Sequence, residues 1–408
     1  MTTTDEDAAL FDDGLARRNA VILAVAQAIG GAVMPIGIAT GTLVAVMLAP
    51  EAPALATAPM TALVLGSAAG SAPAALYMKR VGRRTGFLTG AGMAALGSLV
   101  AVAAILAGSF LLFIAGLFLA GVSSAFVQQY RFAATDIASP GFRPKAISYV
   151  MIGGIFSGIV GPQSAIHGRT LFPTAFVGAY AIAVALSLLT AAVLCFLVLP
   201  RPAAATHTGG GRPLGEILRQ PRFLVALACA ICSFAMMSFV MTSTPLAMVQ
   251  HFHHGPDAAT ETIQWHIVAM YAPSLVTGTL IARLGKEVVV AVGLLLIAAC
   301  AAVALSGVDI HHFSLALILL GVGWNFGFIG ATAMLTETYR PEEAPKVQAA
   351  NDFILFGFVA AASLSSGFVL SGAGWNVVNL AVLPAVAACL LLLGWSRLPA
   401  ALRRSRRA

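Results

Sequence analysis

The chain has 408 residues, of which 59% are hydrophobic and only 10% are charged, with a formal net charge of +7. Its mean hydropathy is +0.91. Soluble globular domains carry about 25% charged residues, so this composition excludes them and predicts a membrane protein. The excess of positive charge does not predict a nucleic-acid partner, because no basic segment carries interleaved aromatic residues.

Twelve apolar runs each approach the ~20 residues that a helix needs to cross the hydrocarbon of a bilayer. They predict transmembrane helices at residues 20–46, 57–78, 86–107, 109–130, 146–168, 174–199, 222–249, 262–282, 287–307, 313–335, 347–371 and 375–396. The first run is of full length and follows an acidic segment. We therefore expect it to remain as the first helix and not to be removed as a signal peptide.

The basic residues are sorted between the two sides of this arrangement. Of the 23 Lys and Arg residues, all but Arg169 fall at the termini or in the connections on one side. Short loops rich in Lys and Arg stay in the cytoplasm during membrane insertion. The sequence therefore predicts a multi-pass protein of the bacterial inner (plasma) membrane, surrounded by lipid, with both termini in the cytoplasm.

The longest polar interruption, residues 200–221, has the glycine and proline content of a linker. It predicts an N-terminal six-helix bundle at residues 1–199 and a C-terminal six-helix bundle at residues 222–408. The two parts repeat each other, because the loop at residues 79–84 has a counterpart at residues 282–287, and Gly121 has one at Gly321. Since six is even, both copies share one orientation, and the repeat is parallel.

The loop between the second and third helices carries a resemblance to a known family. The pattern Gly-x-x-x-Asp-Arg-x-Gly-Arg-Arg of the major facilitator superfamily is matched at Arg80, Gly82, Arg83 and Arg84. With the parallel repeat, this resemblance covers nearly the whole chain. It implies an all-α membrane protein with twelve transmembrane helices in two bundles around a central cavity, and secondary transport by alternating access.

The chain departs from that pattern at two positions, with Ala75 in place of Gly and Lys79 in place of Asp. In the family, this Asp helps to latch the cytoplasmic side shut against helix 11. Asp352 lies near the predicted start of helix 11, where the helix dipole favours a carboxylate. We therefore expect Lys79 or Arg80 to pair with Asp352, which reverses the usual polarity of the latch.

A narrower likeness covers residues 130–136, 142–148 and 153–163, which resemble the bacterial riboflavin-uptake branch of the superfamily. The likeness implies uptake of riboflavin or a related flavin. The helix 4 signature of drug/proton antiporters is absent at residues 117–121, but their helix 5 signature is half present between Gly153 and Pro162. The alternative is proton-coupled efflux of a drug-like or metabolite substrate.

Polar residues inside the spans are candidate substrate-binding residues, because polar groups in hydrocarbon are costly and usually functional. They are Gln27, Gln163, Trp324, Asn325, His266 and Tyr271. No span has Lys, Arg, Asp or Glu at its centre, so we expect a neutral small-molecule substrate that stacks on Trp324 and bonds to the amides. Riboflavin, with its flat ring and polyol chain, has this chemistry.

These residues also have structural interpretations. Gln27 and Gln163 could join neighbouring helices by hydrogen bonds. His266 could be a coupling site or a satisfied buried imidazole. Asp352, the acidic residue inside a span, could carry a coupling proton or serve only as a latch. Arg83, Arg131 and Asp136 are expected to shape the cytoplasmic gate through pairing.

We expect no cofactor, no metal and no enzyme activity. All five cysteines lie inside predicted spans, where they behave as small apolar residues. The run His251-Phe252-His253-His254 has no standard metal-ligand spacing. The spans contain no nucleophile with a base and no paired carboxylates. The residues leave the direction of transport and the coupling ion open, and the resemblance implies a monomer.

Overall fold

The structure is a computed structural model that describes residues 12–139, 142–199, 211–340 and 343–397. These ranges form helices and contain no β-strand. The helices are α1 (Asp13–Gly30), α2 (Val33–Leu48), α3 (Ala58–Val81), α4 (Arg83–Leu106), α5 (Phe110–Val127), α6 (Tyr130–Ala133), α7 (Arg143–Arg169), α8 (Val177–Leu194), α9 (Leu214–Leu218), α10 (Pro221–Leu246), α11 (Pro256–Tyr271), α12 (Ser274–Leu284), α13 (Lys286–Ser306), α14 (Ile310–Leu335) and α15 (Ala344–Arg397). Of the predicted linker, residues 200–210 lie outside the described residues.

Ten segments of the described chain are long and apolar enough to cross a membrane, and the count becomes eleven if α11 and α12, bent by 43° at their break, form one span. At this level the predicted all-helical, multi-pass membrane protein is confirmed. The longest segment, Lys346–Ser396, has 51 residues. It contains Gly374, whose φ of 81° and ψ of 177° are not helical.

Two spans are interrupted near their middle. α1 and α2 meet at Gly31 and Ala32, and α11 and α12 meet at Ala272 and Pro273. Proline lacks the N–H that a continuous helix would use and its ring crowds the preceding turn, which explains the second break. Such breaks free backbone carbonyls inside the hydrocarbon layer, so side chains of neighbouring helices must pair with them.

The two glycine connections that suggested an internal repeat in the sequence have similar backbone angles. Gly82 between α3 and α4 has φ 87° and ψ 157°, and Gly285 between α12 and α13 has φ 86° and ψ 148°. Only glycine adopts these positive φ values without strain. Gly121 and Gly321 also match, because a Cβ would lie 2.1 Å from the Leu63 carbonyl oxygen and 2.6 Å from that of His266, respectively. Both glycines therefore permit close helix crossing.

The described helices pack in two groups. In the N-terminal group (residues 12–199), α1 packs on α7, α5 packs on α3 and α4, and α8 packs on α4. In the C-terminal group (residues 211–397), α14 packs on α10, α11 and α13, and α15 packs on α10 and α13. Contacts between the groups run mainly from α7 to α11, from α3 to α15, and from α2 to α10 and α11. The region where the two groups face each other therefore runs beside α7 and α11, and we call it the space between the groups.

Consecutive spans run in alternate directions, which gives the assembly two ends. We call the end that carries Arg83, Arg131 and Lys286 the basic end. We call the end that carries Arg169 and Asp257 the opposite end. The two ends of the helical assembly therefore differ in charge, as the charge pattern of the sequence predicts.

Candidate transport site

The two groups are tied together at the opposite end by an ion pair. Arg169, the last residue of α7, donates from Nε and Nη2 to the two carboxylate oxygens of Asp257 at 3.0 Å and 2.9 Å. Asp257 lies in the first turn of α11, where the helix dipole also favours its charge. Two parallel bonds fix the orientation of the helices as well as their distance. Sequence reasoning had marked Arg169 only as the exception to the charge pattern.

Two further polar contacts join the groups toward the same end. Gln163 on α7 donates from Nε2 to the Gln264 side-chain oxygen on α11 at 2.8 Å. Thr57, which precedes α3, donates from its hydroxyl to the Leu364 carbonyl oxygen on α15 at 3.2 Å. The structural interpretation of Gln163, an interhelical hydrogen bond, therefore matches its position in this conformation.

At the basic end, Asp352 accepts a hydrogen bond from the Asn351 amide at 3.1 Å. The neighbouring Phe353 exposes 82% of its surface. The contacts between the groups that are described above lie toward the opposite end.

The predicted latch residues are not brought together in this conformation. Lys79 and Arg80 are exposed at the end of α3. Among the ion pairs of the described residues, neither one pairs with Asp352. Pairing of Lys79 or Arg80 with Asp352 therefore stays a prediction for another state of the transport cycle.

A polar wall of the space is built around two adjacent glycines of α7. A Cβ on Gly153 would lie 3.0 Å from Gln27 Cβ on α1, and a Cβ on Gly154 would lie 3.1 Å from the Tyr271 ring on α11. Because neither glycine has a side chain, one turn of α7 holds Gln27 on one side and Tyr271 on the other. Both side chains are partly exposed.

An aromatic wall faces the same space from the C-terminal group. Phe234 on α10 makes edge contacts with Trp324, Phe328 and Phe356, with ring centroids 5.3 to 5.8 Å apart. Trp324 and Phe328 are stacked at 5.3 Å with an interplanar angle of 14°. All four side chains are partly exposed. Sequence reasoning identified only Trp324, although the spacing of Phe328, one helical turn later, was a usable signal.

Asn325 lies next to Trp324 in sequence but is fully buried. Its amide nitrogen donates to the Met270 carbonyl oxygen and to the Ser274 hydroxyl, both at 2.6 Å, and its oxygen accepts from Thr277 at 2.6 Å. These three bonds span the break between α11 and α12. This geometry does not support the predicted substrate contact of Asn325, because both ends of its amide are hydrogen-bonded to the broken helix.

His266 is likewise fully buried, and its Nδ1 is 2.7 Å from the Leu317 carbonyl oxygen on α14. This bond fixes the ring between α11 and α14. Of the six predicted substrate-binding residues, Gln27, Tyr271 and Trp324 are partly exposed, and their contact with substrate stays a prediction. The structure places Gln163 in a contact between the groups, and Asn325 and His266 in packing between helices.

The predicted gate residues Arg83 and Asp136 do meet. Arg83 at the start of α4 donates from Nη2 to Asp136 at 3.0 Å, in a second two-bond ion pair. Partial burial raises the pKa of Asp136, and the Arg83 guanidinium acts in the other direction. Lys286 at the start of α13 makes a single ion contact with Glu337 beyond α14. Each group therefore has an ion pair between the start of one helix and the residues after the next.

The segment before α9 is anchored to the connection between α14 and α15. The buried carboxylate of Glu343 accepts from the Arg212 backbone N–H at 2.7 Å and from Arg212 Nη2 at 2.8 Å. The Arg340 N–H donates to the same carboxylate at 2.9 Å. These bonds hold the pKa of Glu343 well below its ordinary value. The second part of the predicted linker is therefore fixed to the C-terminal group.

Comparisons with known proteins agree with this architecture. The model of the Major Facilitator Superfamily matches residues 21–363. The chain is 49% identical over 387 residues to "Riboflavin transporter RfnT" of Brucella anthropi, covering 94% of this chain and 96% of that protein. It is 30% identical over 385 residues to "Uncharacterized MFS-type transporter YdeG" of Bacillus subtilis, covering 90% and 89%.

Solved structures support the fold. The nucleoside transporter NupG superposes with a TM-score of 0.74 at 13% identity, covering 93% of this chain and all of that one. The Escherichia coli fucose:proton symporter FucP gives a TM-score of 0.60 at 16% identity, covering 94% and 98%. The matched relatives are transporters, and the predicted likeness to the riboflavin-uptake branch is confirmed. The chain belongs to the major facilitator superfamily.

Proposed function

We propose that this protein takes up riboflavin, or a closely related flavin, by alternating access. The observation that carries the proposal is the pair of walls facing the space between the groups, one aromatic and one of uncharged polar side chains. A flat neutral ring with a hydroxylated chain is complementary to both. The 49% identity to a riboflavin transporter over most of the chain supports the same substrate.

The proposed architecture has twelve transmembrane helices in two parallel six-helix bundles, at residues 1–199 and 222–408, connected by residues 200–221. The non-helical backbone at Gly374 supports this count, because it divides Lys346–Ser396 into two spans. The near-identical turns at Gly82 and Gly285 support the parallel repeat. The basic end is cytoplasmic under the positive-inside rule, in the inner membrane, with both termini on that side.

In this topology the described conformation faces inward. The contacts Arg169–Asp257, Gln163–Gln264 and Thr57–Leu364 close the periplasmic end in this proposal. The exposed Lys79 and Arg80, which are not paired with Asp352, support a cytoplasmic end that is not latched. During the cycle these contacts separate to admit substrate and form again behind it. Closure of the cytoplasmic end then brings Asp352 toward Arg131, or toward Lys79 and Arg80. The same carboxylate is available to a coupling proton when it is unpaired.

Within the cavity, Trp324 provides a stacking face, while Gln27 and Tyr271 provide hydrogen-bonding groups. Gln163 exchanges between Gln264 and substrate as the periplasmic end opens, since an amide can satisfy either partner. Asn325 and His266 act indirectly, by holding α14 against the broken span α11–α12. Movement of substrate therefore requires no strongly charged group at the centre of a span.

Transport direction separates uptake from the efflux alternative. We expect cells that express the protein to accumulate labelled riboflavin well above control cells, and energised everted vesicles not to accumulate it. Loss of accumulation on addition of an uncoupler identifies a proton gradient as the driving force. Accumulation in everted vesicles but not in intact cells would contradict uptake and favour efflux.

A further inference from the structure

We propose that the aromatic cluster, defined as Phe234, Trp324, Phe328 and Phe356, is the subsite for the flat ring of the substrate. The hydroxylated chain of the substrate then faces the polar wall at Gln27 and Tyr271. This inference rests on the proposed function and divides the substrate between the two groups of helices. The ring is held by the C-terminal group and the chain by the boundary with the N-terminal group.

The ring geometry of the cluster is suited to stacking. Phe234 contacts the other three rings edge-on, while Trp324 and Phe328 lie nearly parallel to each other. Edge contacts orient aromatic faces, and a further ring gains most from an offset stack on such a face. The four side chains come from α10, α14 and α15, so the cluster is a surface formed by three helices and not a single stripe.

The direction in which the cluster points follows from the packing of α14. Gly321 and Asn325 lie against α11, and Gly323 lies against α13. Trp324 and Phe328, one turn apart, share the remaining face of α14, where they meet Phe234 of α10. This face lies between α10 and α11, the two helices that also contact α2 of the N-terminal group. The cluster therefore faces the space between the groups.

The cluster and the polar wall are linked by one hydrogen bond between α14 and α11. Asn325, which follows Trp324 of the cluster, donates to the carbonyl oxygen of Met270, which precedes Tyr271 of the polar wall. This bond sets Trp324 and Tyr271 at a similar level of the two helices. Tyr271 in turn packs on Gly154 of α7, in the N-terminal group. We therefore place the ring on the cluster and the chain toward Tyr271 and Gln27.

The two walls differ in the chemistry they offer. The aromatic cluster supplies no charge and binds any flat ring with little dependence on its substituents. The polar wall supplies an amide and a phenol that pair with hydroxyl groups. A ring without a chain should therefore bind through the cluster alone, whereas the chain without a ring should bind weakly. A substrate that contacts both walls also draws the groups together, which links occupancy to closure.

The subsite can be tested with fragments of riboflavin. Binding of riboflavin and of lumiflavin, which keeps the ring but lacks the ribityl chain, is measured on purified full-length protein by quenching of flavin fluorescence. We expect Phe328→Leu and Phe356→Leu to weaken the affinity for both ligands by the same factor, roughly tenfold. Gln27→Leu should weaken riboflavin binding and leave lumiflavin binding unchanged.

Phe358→Leu is the matched control, because Phe358 lies on the same helix but is 55% exposed and outside the cluster. Its affinities should equal those of the wild type, and the thermal midpoint without ligand should be equal in all variants. If wild-type protein binds riboflavin while both cluster variants bind both ligands normally, the subsite is wrong and the proposed function survives. If wild-type protein binds no flavin, both are overturned.

Discussion

Replacing Arg169 by Asp is expected to reduce riboflavin uptake by more than tenfold, and the exchange Arg169→Asp with Asp257→Arg to restore a large part of it. In the single variant two carboxylates face each other across the periplasmic end, in place of the two-bond ion pair. Like charges oppose closure of that end, so the protein accumulates in the outward-facing state. Substrate can bind but cannot be released inward. Uptake of labelled riboflavin by intact cells measures the effect.

Glu261→Gln is the control for this experiment, because Glu261 is an exposed residue one turn after Asp257 on α11 and glutamine brings no charge that could pair with Asp257. It changes charge at the same end without touching the ion pair, and uptake should stay near the wild-type rate. Arg169→Lys keeps the charge but loses the two-bond geometry, so an intermediate rate is expected. Equal uptake by the wild type and the Arg169→Asp variant would contradict the role of this pair in closure.

Replacing Asn325 by Leu is expected to destabilise the protein more strongly than any change at the adjacent Trp324. The variant removes the three hydrogen bonds that span the break at Pro273. Interhelical hydrogen bonds in membranes contribute roughly 0.6–2 kcal/mol each, so a total loss of about 2–6 kcal/mol is expected for three bonds. Unfolding of purified protein without ligand, followed by heating or denaturant, measures this loss.

Asn379→Leu is a matched control, since Asn379 is also fully buried but makes one hydrogen bond, to the Trp375 carbonyl oxygen. Its destabilisation should be about a third of that of Asn325→Leu. Trp324→Ala should show the reverse pattern, with a small change in stability and a large loss of riboflavin affinity. A stable Asn325→Leu variant that has lost only riboflavin affinity would instead identify Asn325 as a substrate contact.

The sequence predicted features that depend on composition and local pattern. The apolar runs predicted membrane-spanning helices, and the recurring loop predicted similar turns at Gly82 and Gly285, whose backbone angles match. The resemblance also identified the riboflavin-uptake branch. Gln27 and Tyr271 were selected as candidate substrate contacts because polar groups in hydrocarbon require a partner or a function, and that role stays a prediction.

Features that depend on side-chain direction could not be predicted. Trp324 and Asn325 are neighbours in sequence, but consecutive residues of a helix point about 100° apart, so one faces the space and the other faces α11. Phe234 and Phe356 are far from Trp324 in sequence, and only the packing of α10, α14 and α15 brings their rings together. The partner of Arg169 depended in the same way on the contact of α7 with α11.

The most direct test of the account is riboflavin flux through the purified protein in proteoliposomes. Wild-type protein should move riboflavin down its concentration gradient, and an imposed proton gradient should accelerate this flux if protons drive uptake. The Trp395→Ala variant is the control, because Trp395 is an exposed residue near the end of α15, and its flux should equal that of the wild type. Trp324→Ala should lower the flux at least roughly tenfold. Riboflavin entry no faster than into protein-free liposomes would contradict the account.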